Sequence, residues 1–133
     1  MSVFILYGVT VVIFLALDAL MLTFVMRPLF EKHIADLLIP NLRYGAAAVF
    51  YLGYIAGLLW LVSLPALRSG TPVSALVGGM VIGAMAYGTY EFSNYATLTA
   101  WHPAMVATDF IWGTVLTGVS AWAGVVITRA ITA

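Results

Sequence analysis

Three carboxyl groups lie inside long apolar stretches of this sequence, and they are the residues best suited to chemistry. Asp18, Glu91 and Asp109 each interrupt a hydrophobic segment. An ionised carboxylate is costly there unless it faces other protein groups or water. Buried carboxyl groups can bind a proton or a cation, and two of them in unequal surroundings can act as general acid and general base. The three acids are therefore the predicted centre of any chemistry.

Tyrosine and amide side chains accompany these acids at helical spacing. Tyr87, Glu91 and Asn94 follow one another at i, i+4 and i+7, which places them on one helical face. Tyr90 adjoins Glu91, and Tyr51 lies at a matching depth in another apolar segment. The sequence thus predicts a buried polar cluster of Asp18, Tyr51, Tyr87, Tyr90, Glu91, Asn94 and Asp109.

The composition identifies the kind of protein that must hold this cluster. Of 133 residues, 64% are hydrophobic and 8% are charged, whereas soluble domains carry about 25% charged residues. A chain this apolar is expected to be an integral membrane protein. Five basic and five acidic residues form no basic block, so nucleic acid is not an expected partner. With no cysteine, the chain can form neither disulfides nor thiolate metal sites.

Four apolar stretches are long enough to cross a bilayer as helices. They predict an all-α transmembrane four-helix bundle that forms one domain over residues 1–133, with spans at about 3–26, 44–64, 73–95 and 104–127. Arg27-Pro28 is expected to end the first span, and residues 29–39 to form a short interfacial helix. The segment from Pro65 to Pro72 is expected to form a tight turn. We expect the first span to be retained and not removed as a signal peptide.

Antiparallel packing of the four spans brings the acids to one depth. Asp18 lies near the end of span one, Glu91 near the end of span three and Asp109 near the start of span four, all on one side of the membrane. Arg43 and His102 flank this layer as possible charge partners. Each acid could also be satisfied structurally by hydroxyl or amide groups. A metal site of Asp18, Glu91, Asp109 and His102 is not predicted, since no pair of ligands on one helix fixes its geometry, and no cofactor is indicated.

Small residues recur at four-residue spacing and predict where helices approach closely. The first pair is Gly53 and Gly57 in span two, and the second is Gly79 and Gly83 in span three. Gly88 and Gly113 extend these faces toward the acids. Three of the flanking basic residues lie on the side of the connector between spans one and two, and two lie on the opposite side. Since basic residues are more frequent on the cytoplasmic side, this slightly favours a cytoplasmic location for that connector.

Several blocks of the sequence resemble a bacterial membrane-protein family, the domain of unknown function 2177. The most specific are Tyr87-Gly-Thr-Tyr-Glu-Phe-Ser-Asn-Tyr-Ala-Thr-Leu98 and Asp109-Phe-Ile-Trp-Gly-Thr-Val-Leu116; Leu17-Asp18-Ala19 and Pro40-Asn41-Leu42 also match. The resemblance implies a multi-pass protein of the bacterial inner membrane with four spans, and it supplies no activity. This chain departs from the family pattern at Glu91, where the family usually has aspartate, and at Met21, where a tryptophan is usual.

Three functions are consistent with these features. The leading hypothesis is a non-enzymatic accessory subunit that packs against a larger membrane complex of respiratory or photosynthetic type, through its small-residue faces. The second is a proton- or cation-coupled transporter of small solutes that works as a homodimer through the carboxyl groups. The third is an enzyme that modifies membrane lipids or isoprenoids, with Glu91 and Asp109 as acid and base. The expected partners are the lipid bilayer and either other membrane proteins or a second copy.

Overall fold

The computed structural model describes residues 2–132, and its regular structure is entirely helical within that range. Four long helices follow one another: α1 (Ser2–Leu37), α2 (Tyr44–Ser69), α3 (Pro72–Thr97) and α4 (Pro103–Thr132). Each is apolar and longer than the roughly 20 residues that cross a hydrocarbon core. The predicted all-α architecture with four helices able to span a membrane is confirmed.

Helix α1 does not end at Arg27-Pro28, where the sequence predicts its end. Its α-helical part changes at Leu22–Met26 into a π-helical turn, in which the Arg27 N–H donates to the carbonyl of Leu22 five residues earlier. Proline breaks an ordinary helix because its ring meets the carbonyl four residues before it. The wider turn just before Pro28 relieves that contact, so the helix continues to Ile34 and closes with a 3₁₀ turn. The segment expected as a separate interfacial helix is the continuation of α1.

Helix α2 passes its proline by the same device. A π-helical turn at Leu59–Ser63 precedes Pro65, and the Leu64 N–H donates to the carbonyl of Leu59. The helix then runs to Ser69 and ends at Gly70, whose φ of 69° lies in the left-handed region that glycine adopts without strain. The connection to α3 is therefore much shorter than the turn predicted from Pro65 to Pro72.

Helices α3 and α4 make the closest contact of the bundle. A Cβ atom on Gly79 would lie 2.8 Å from the carbonyl oxygen of Thr117 and 2.9 Å from the Cα atom of Gly118. A Cβ atom on Gly83 would meet the carbonyl oxygen of Gly113. The two helices thus touch backbone to backbone, which only glycine permits at these positions.

The remaining predicted packing glycines divide into two groups. Gly113 lies against the ring of Tyr87, and a Cβ atom on Gly88 would come within 3.1 Å of the Phe110 ring. A Cβ atom on Gly53 or Gly57 would meet no atom within 4 Å. The glycine pair of α3 therefore packs inside the bundle, whereas the predicted packing face of α2 is open.

Helix α4 is the centre of the bundle and contacts each of the other helices. Gly124 of α4 faces Thr10 of α1, and the Tyr54 hydroxyl of α2 lies 2.9 Å from the Thr117 hydroxyl of α4. Large apolar side chains elsewhere point outward; for example, 80% of Phe4 is exposed. An apolar perimeter suits contact with lipid. The buried core comprises Leu6, Phe14, Ile55, Leu58, Leu59, Ala66, Ala75, Leu116, Ala121 and Val125.

The contrast between Gly79 and Gly53 gives a test of this packing. Gly79→Ala is expected to destabilise the protein by about 1–3 kcal/mol, because the added methyl group overpacks a backbone contact. Gly53→Ala is the matched control and is expected to be neutral or stabilising by up to about 1 kcal/mol, through helix propensity alone. Unfolding of the purified proteins in detergent measures both. Equal stability of the two variants would contradict the described contact.

Candidate functional site

The structure brings the three intramembrane acids together at one end of the bundle, between the connector at residues 38–43 and the turn at residues 98–102. Asp18 of α1 is 3% exposed, Glu91 of α3 is fully buried and Asp109 of α4 is half-buried. We refer to these three side chains as the carboxyl layer.

Asp18 is held by an aromatic donor. The indole N–H of Trp112 donates to its Oδ1 over 3.2 Å, and the Tyr51 hydroxyl lies close to it. Trp112 reaches Asp18 because it stands one helical turn after Asp109, on the side of α4 that faces α1. Tyr51 is in turn packed against Phe14, with ring centroids 5.7 Å apart. The indole of Trp112 thus fixes Asp18 without giving it a counter-charge.

Glu91 is held by Trp101, which lies in the turn between α3 and α4. The Trp101 indole N–H donates to Oε1 of Glu91 over 3.0 Å. Edge-on contacts from Phe30 and Tyr90, at centroid distances of 5.5 and 5.8 Å, enclose the indole, and only 6% of Trp101 is exposed. Phe30 belongs to the part of α1 beyond Pro28, so the continuation of α1 is what covers this end of the site.

Glu91 and Asp109 form a pair of carboxyl groups within hydrogen-bonding range of each other. The second oxygen of Glu91, Oε2, is buried and receives no hydrogen bond from a donor among residues 2–132. Two carboxylates cannot donate to each other when both are ionised. A proton or a cation between them would satisfy both groups.

No basic side chain neutralises the carboxyl layer within the described part of the chain. There, the one ion pair joins Arg27 to Glu31 on the surface of α1. Arg43 is exposed and makes no ion pair with the acids. His102 accepts the Ala104 N–H at its Nδ1 and stacks on His33, with ring centroids 4.0 Å apart. The two predicted charge partners therefore lie outside the site.

The tyrosines and the amide of the predicted cluster take different places. The Tyr87 hydroxyl is buried without a partner in residues 2–132, and the charges of both Asp18 and Asp109 act on it. Tyr90 is 52% exposed and lies near the half-buried Asn94. Tyr51 and Tyr87 thus belong to the interior of the site, whereas Tyr90 and Asn94 form its edge toward the surface.

The carboxyl layer does not form a recognisable set of metal ligands within residues 2–132. Across residues 2–132, no three histidine, aspartate or glutamate side chains are grouped so that they could hold a metal ion. The arrangement is instead suited to proton uptake, since it combines two adjacent carboxyl groups with a buried hydroxyl that lacks a partner.

Trp101 and Trp112 are the site residues that helical spacing does not reveal. Trp101 follows Glu91 by ten positions across a turn, so no helical repeat relates the two residues. Trp112 shares a face with Asp109 in the sequence but donates to Asp18 of another helix. The sequence could have indicated them only by residue type, because the indole N–H of a buried tryptophan requires a hydrogen-bond acceptor.

Comparison with known proteins identifies a family. A family model described as predicted membrane protein (DUF2177) matches residues 3–126, which is nearly the whole chain. Comparisons with curated proteins and with solved structures give no match.

The bond between Trp101 and Glu91 can be tested by removing its donor. Trp101→Phe is expected to destabilise the protein by about 1–3 kcal/mol, since Oε1 of Glu91 would stay buried without a partner. Trp60→Phe is the control, because Trp60 is 75% exposed. Unfolding in detergent measures the effect.

A double-mutant cycle with Glu91→Leu separates the lost hydrogen bond from the cavity left by the smaller ring. The cost of Trp101→Phe is expected to shrink when Glu91 is already leucine. An unchanged cost in that background would mean that packing alone accounts for Trp101.

Proposed function

We propose, for a chain that belongs to the DUF2177 family of predicted membrane proteins, that the carboxyl layer binds and releases a proton or a small cation. In this proposal the protein couples that step to the transport of a small solute across the bacterial inner membrane, as a homodimer. The observation that carries the proposal is the contact of buried Glu91 with Asp109, without a basic partner in residues 2–132.

The energetics of this contact support binding of a positive ion. Two ionised carboxylates about 4 Å apart repel each other by about 4 kcal/mol at an effective dielectric constant of about 20. Asp18 adds a third negative group at the same depth, and its charge acts on Asp109. A proton or a cation held between Glu91 and Asp109 removes the repulsion. The protein is therefore more stable when a proton or a cation occupies the site, and it loses this stability when the ion is released.

The shape of the surroundings favours the proton as the ligand. One apolar groove of about 480 Å³ runs between Phe92 and Ile111, and another of about 280 Å³ lies between the start of α1 and Trp60. Neither groove is lined by Asp18, Glu91 or Asp109. An organic ligand in either groove would therefore not contact the acids. A proton needs only the carboxyl pair.

Exchange with the surrounding water can take place at the edge of the site. Tyr90 is half-exposed, its hydroxyl lies near Asn94, and its ring contacts Trp101, the donor to Glu91. The Tyr90 hydroxyl also lies near Glu91 and Asp109. This tyrosine is therefore both close to the carboxyl layer and exposed at the surface of the protein.

A second candidate function is the accessory subunit, and the open face of α2 favours it. Added Cβ atoms at Gly53 and Gly57 would meet nothing within 4 Å, although membrane helices use such spacing for close contact. In this candidate function, a helix of a larger respiratory or photosynthetic complex packs on the face. In the transporter proposal, a second copy of this chain packs there.

The transport proposal predicts a titrating carboxyl group that depends on the pair. In difference infrared spectra recorded across a pH change, a C=O band of a protonated carboxylic acid is expected to change intensity. Glu91→Gln or Asp109→Asn should remove or shift this band, because each variant leaves one carboxyl group without its partner. Glu31→Gln is the control, since Glu31 is exposed and paired with Arg27. A band that is identical in all four proteins would overturn the proposal.

The open face of α2 predicts the effect of filling it. Gly53→Leu with Gly57→Leu is expected to reduce association by at least about tenfold while the folded monomer persists. Native mass spectrometry of protein extracted in mild detergent measures the associated species. Gly8→Leu is the control, because that glycine is equally open on α1. Loss of a second copy supports the homodimer and loss of other subunits supports the accessory role, whereas unchanged association contradicts both uses of this face.

A further inference from the structure

One face of α4 carries a polar or very small residue at every turn, from the carboxyl layer to the opposite end of the bundle. Successive intervals of four, four, three, four and four residues keep these positions in line along the helix. The positions are Asp109, Gly113, Thr117, Ser120, Gly124 and Thr128.

At both glycines of this face, a residue that carries a hydroxyl group packs on α4 from a neighbouring helix. The ring of Tyr87 in α3 lies on Gly113, and the hydroxyl of Thr10 in α1 lies against Gly124. Between them, the Tyr54 hydroxyl of α2 is 2.9 Å from the Thr117 hydroxyl. A residue with a carboxyl or hydroxyl group is therefore present at each turn. We refer to this series as the hydroxyl row: Tyr87, Tyr54, Thr117, Ser120, Thr10 and Thr128.

The hydroxyls of this row are buried, and several lack partners within residues 2–132. Thr10, Thr117, Ser120 and Thr128 are fully buried. The hydroxyls of Ser120, Thr128 and Tyr87 make no hydrogen bond to any group of residues 2–132. A buried hydroxyl without a partner costs about 1–3 kcal/mol, and alanine or valine would pack there at no such cost.

Several threonines of the same chain behave in the ordinary way for a helix. Thr89, Thr97, Thr114 and Thr132 each donate to the backbone carbonyl four residues earlier, and Thr10 of the row does the same to Leu6. Ser120 and Thr128 do not, although they lie on the same type of helix. Their hydroxyls are free to bond with water, which is the usual partner of such buried groups.

The dimensions of the row suit a path across a membrane. From Asp109 to Thr128 the helix rises about 28 Å, close to the roughly 30 Å of a hydrocarbon core. Consecutive positions on α4 are about 4.5–6 Å apart along the axis, so one or two waters with hydrogen bonds of about 2.8 Å are needed between successive hydroxyl groups. Arg129, which adjoins Thr128, is exposed and donates to the Gly70 carbonyl in the turn between α2 and α3. The row therefore ends at the opposite membrane face.

We propose that the hydroxyl row, with water between its members, conducts protons between the Glu91–Asp109 pair and the opposite face of the membrane. Each hydroxyl oxygen accepts a proton through one hydrogen bond and releases its own proton through the next. One proton enters the row and one leaves it, with no other bond changed. This inference rests on the proposed function, and it specifies the proton as the ion that moves.

Proton flux in liposomes tests the row. The full chain is reconstituted with a pH-sensitive dye inside, and a potassium diffusion potential drives protons inward. Ser120→Ala and Thr128→Val are each expected to slow the flux by at least about tenfold, since each removes a hydroxyl and preserves volume approximately. Thr128→Ser keeps the hydroxyl and should retain flux. Thr114→Val is the control, because its hydroxyl is bonded to the Phe110 carbonyl.

The readouts separate failure of this inference from failure of the proposed function. Ser120→Ala and Thr128→Val should keep the infrared band of the carboxyl pair, which also shows that the variants are folded. If Glu91→Gln abolishes flux while Ser120→Ala and Thr128→Val conduct normally, the row is not the path although the site is functional. If the parent protein carries no proton flux above that of empty liposomes, the path is refuted whatever the carboxyl pair binds.

Discussion

The close contact between α3 and α4 is the interaction on which the rest of the structure depends. Gly79 and Gly83 let the backbone of α3 touch that of α4, and Gly113 leaves room for the ring of Tyr87. In a bilayer, apolar surface alone does not drive helices together, so this packing must hold the pair. Because the two helices are antiparallel and adjoin through a short turn, the same contact brings Glu91 beside Asp109. Van der Waals packing at the glycines of α3 and α4 thus holds Glu91 and Asp109 together although the two acids repel each other when ionised.

The two π-helical turns determine how far α1 and α2 extend. Each precedes a proline and lets the helix continue past it, at Pro28 in α1 and at Pro65 in α2. In α1 the consequence reaches the site, since Phe30 and His33 are carried over the turn that holds Trp101. Trp101 is buried there and donates to Glu91. The π-helical turn before Pro28 in α1 therefore supports the hydrogen bond between Trp101, in the loop after α3, and Glu91 of α3.

Helix α4 contributes to helix packing, to the carboxyl pair and to the hydroxyl row. Its glycines permit contact with α3 and α1, its Asp109 completes the carboxyl pair, and its hydroxyls follow the same face. Small side chains are needed for close packing, and serine, threonine and glycine provide small size with different polarity. The face that packs most tightly is consequently also the face along which polar groups continue through the bundle.

The sequence by itself determined the number of helices, their antiparallel order and the depth of each acid. Hydropathy and length identify the spans, and a fixed rise per residue converts position along a span into depth. Only the tertiary structure decided which groups meet at that depth. Rotation of a helix about its axis depends on contacts with its neighbours, so the sequence could not show that Gly53 and Gly57 stay open while Gly79 and Gly83 pack. The geometry of the loop between α3 and α4 placed Trp101 on Glu91 and His102 on His33. The sequence also predicted that α1 and α2 would end at their prolines, because a proline ring clashes with the carbonyl four residues earlier. The π-helical turns removed this clash by widening the helix, so both helices continued.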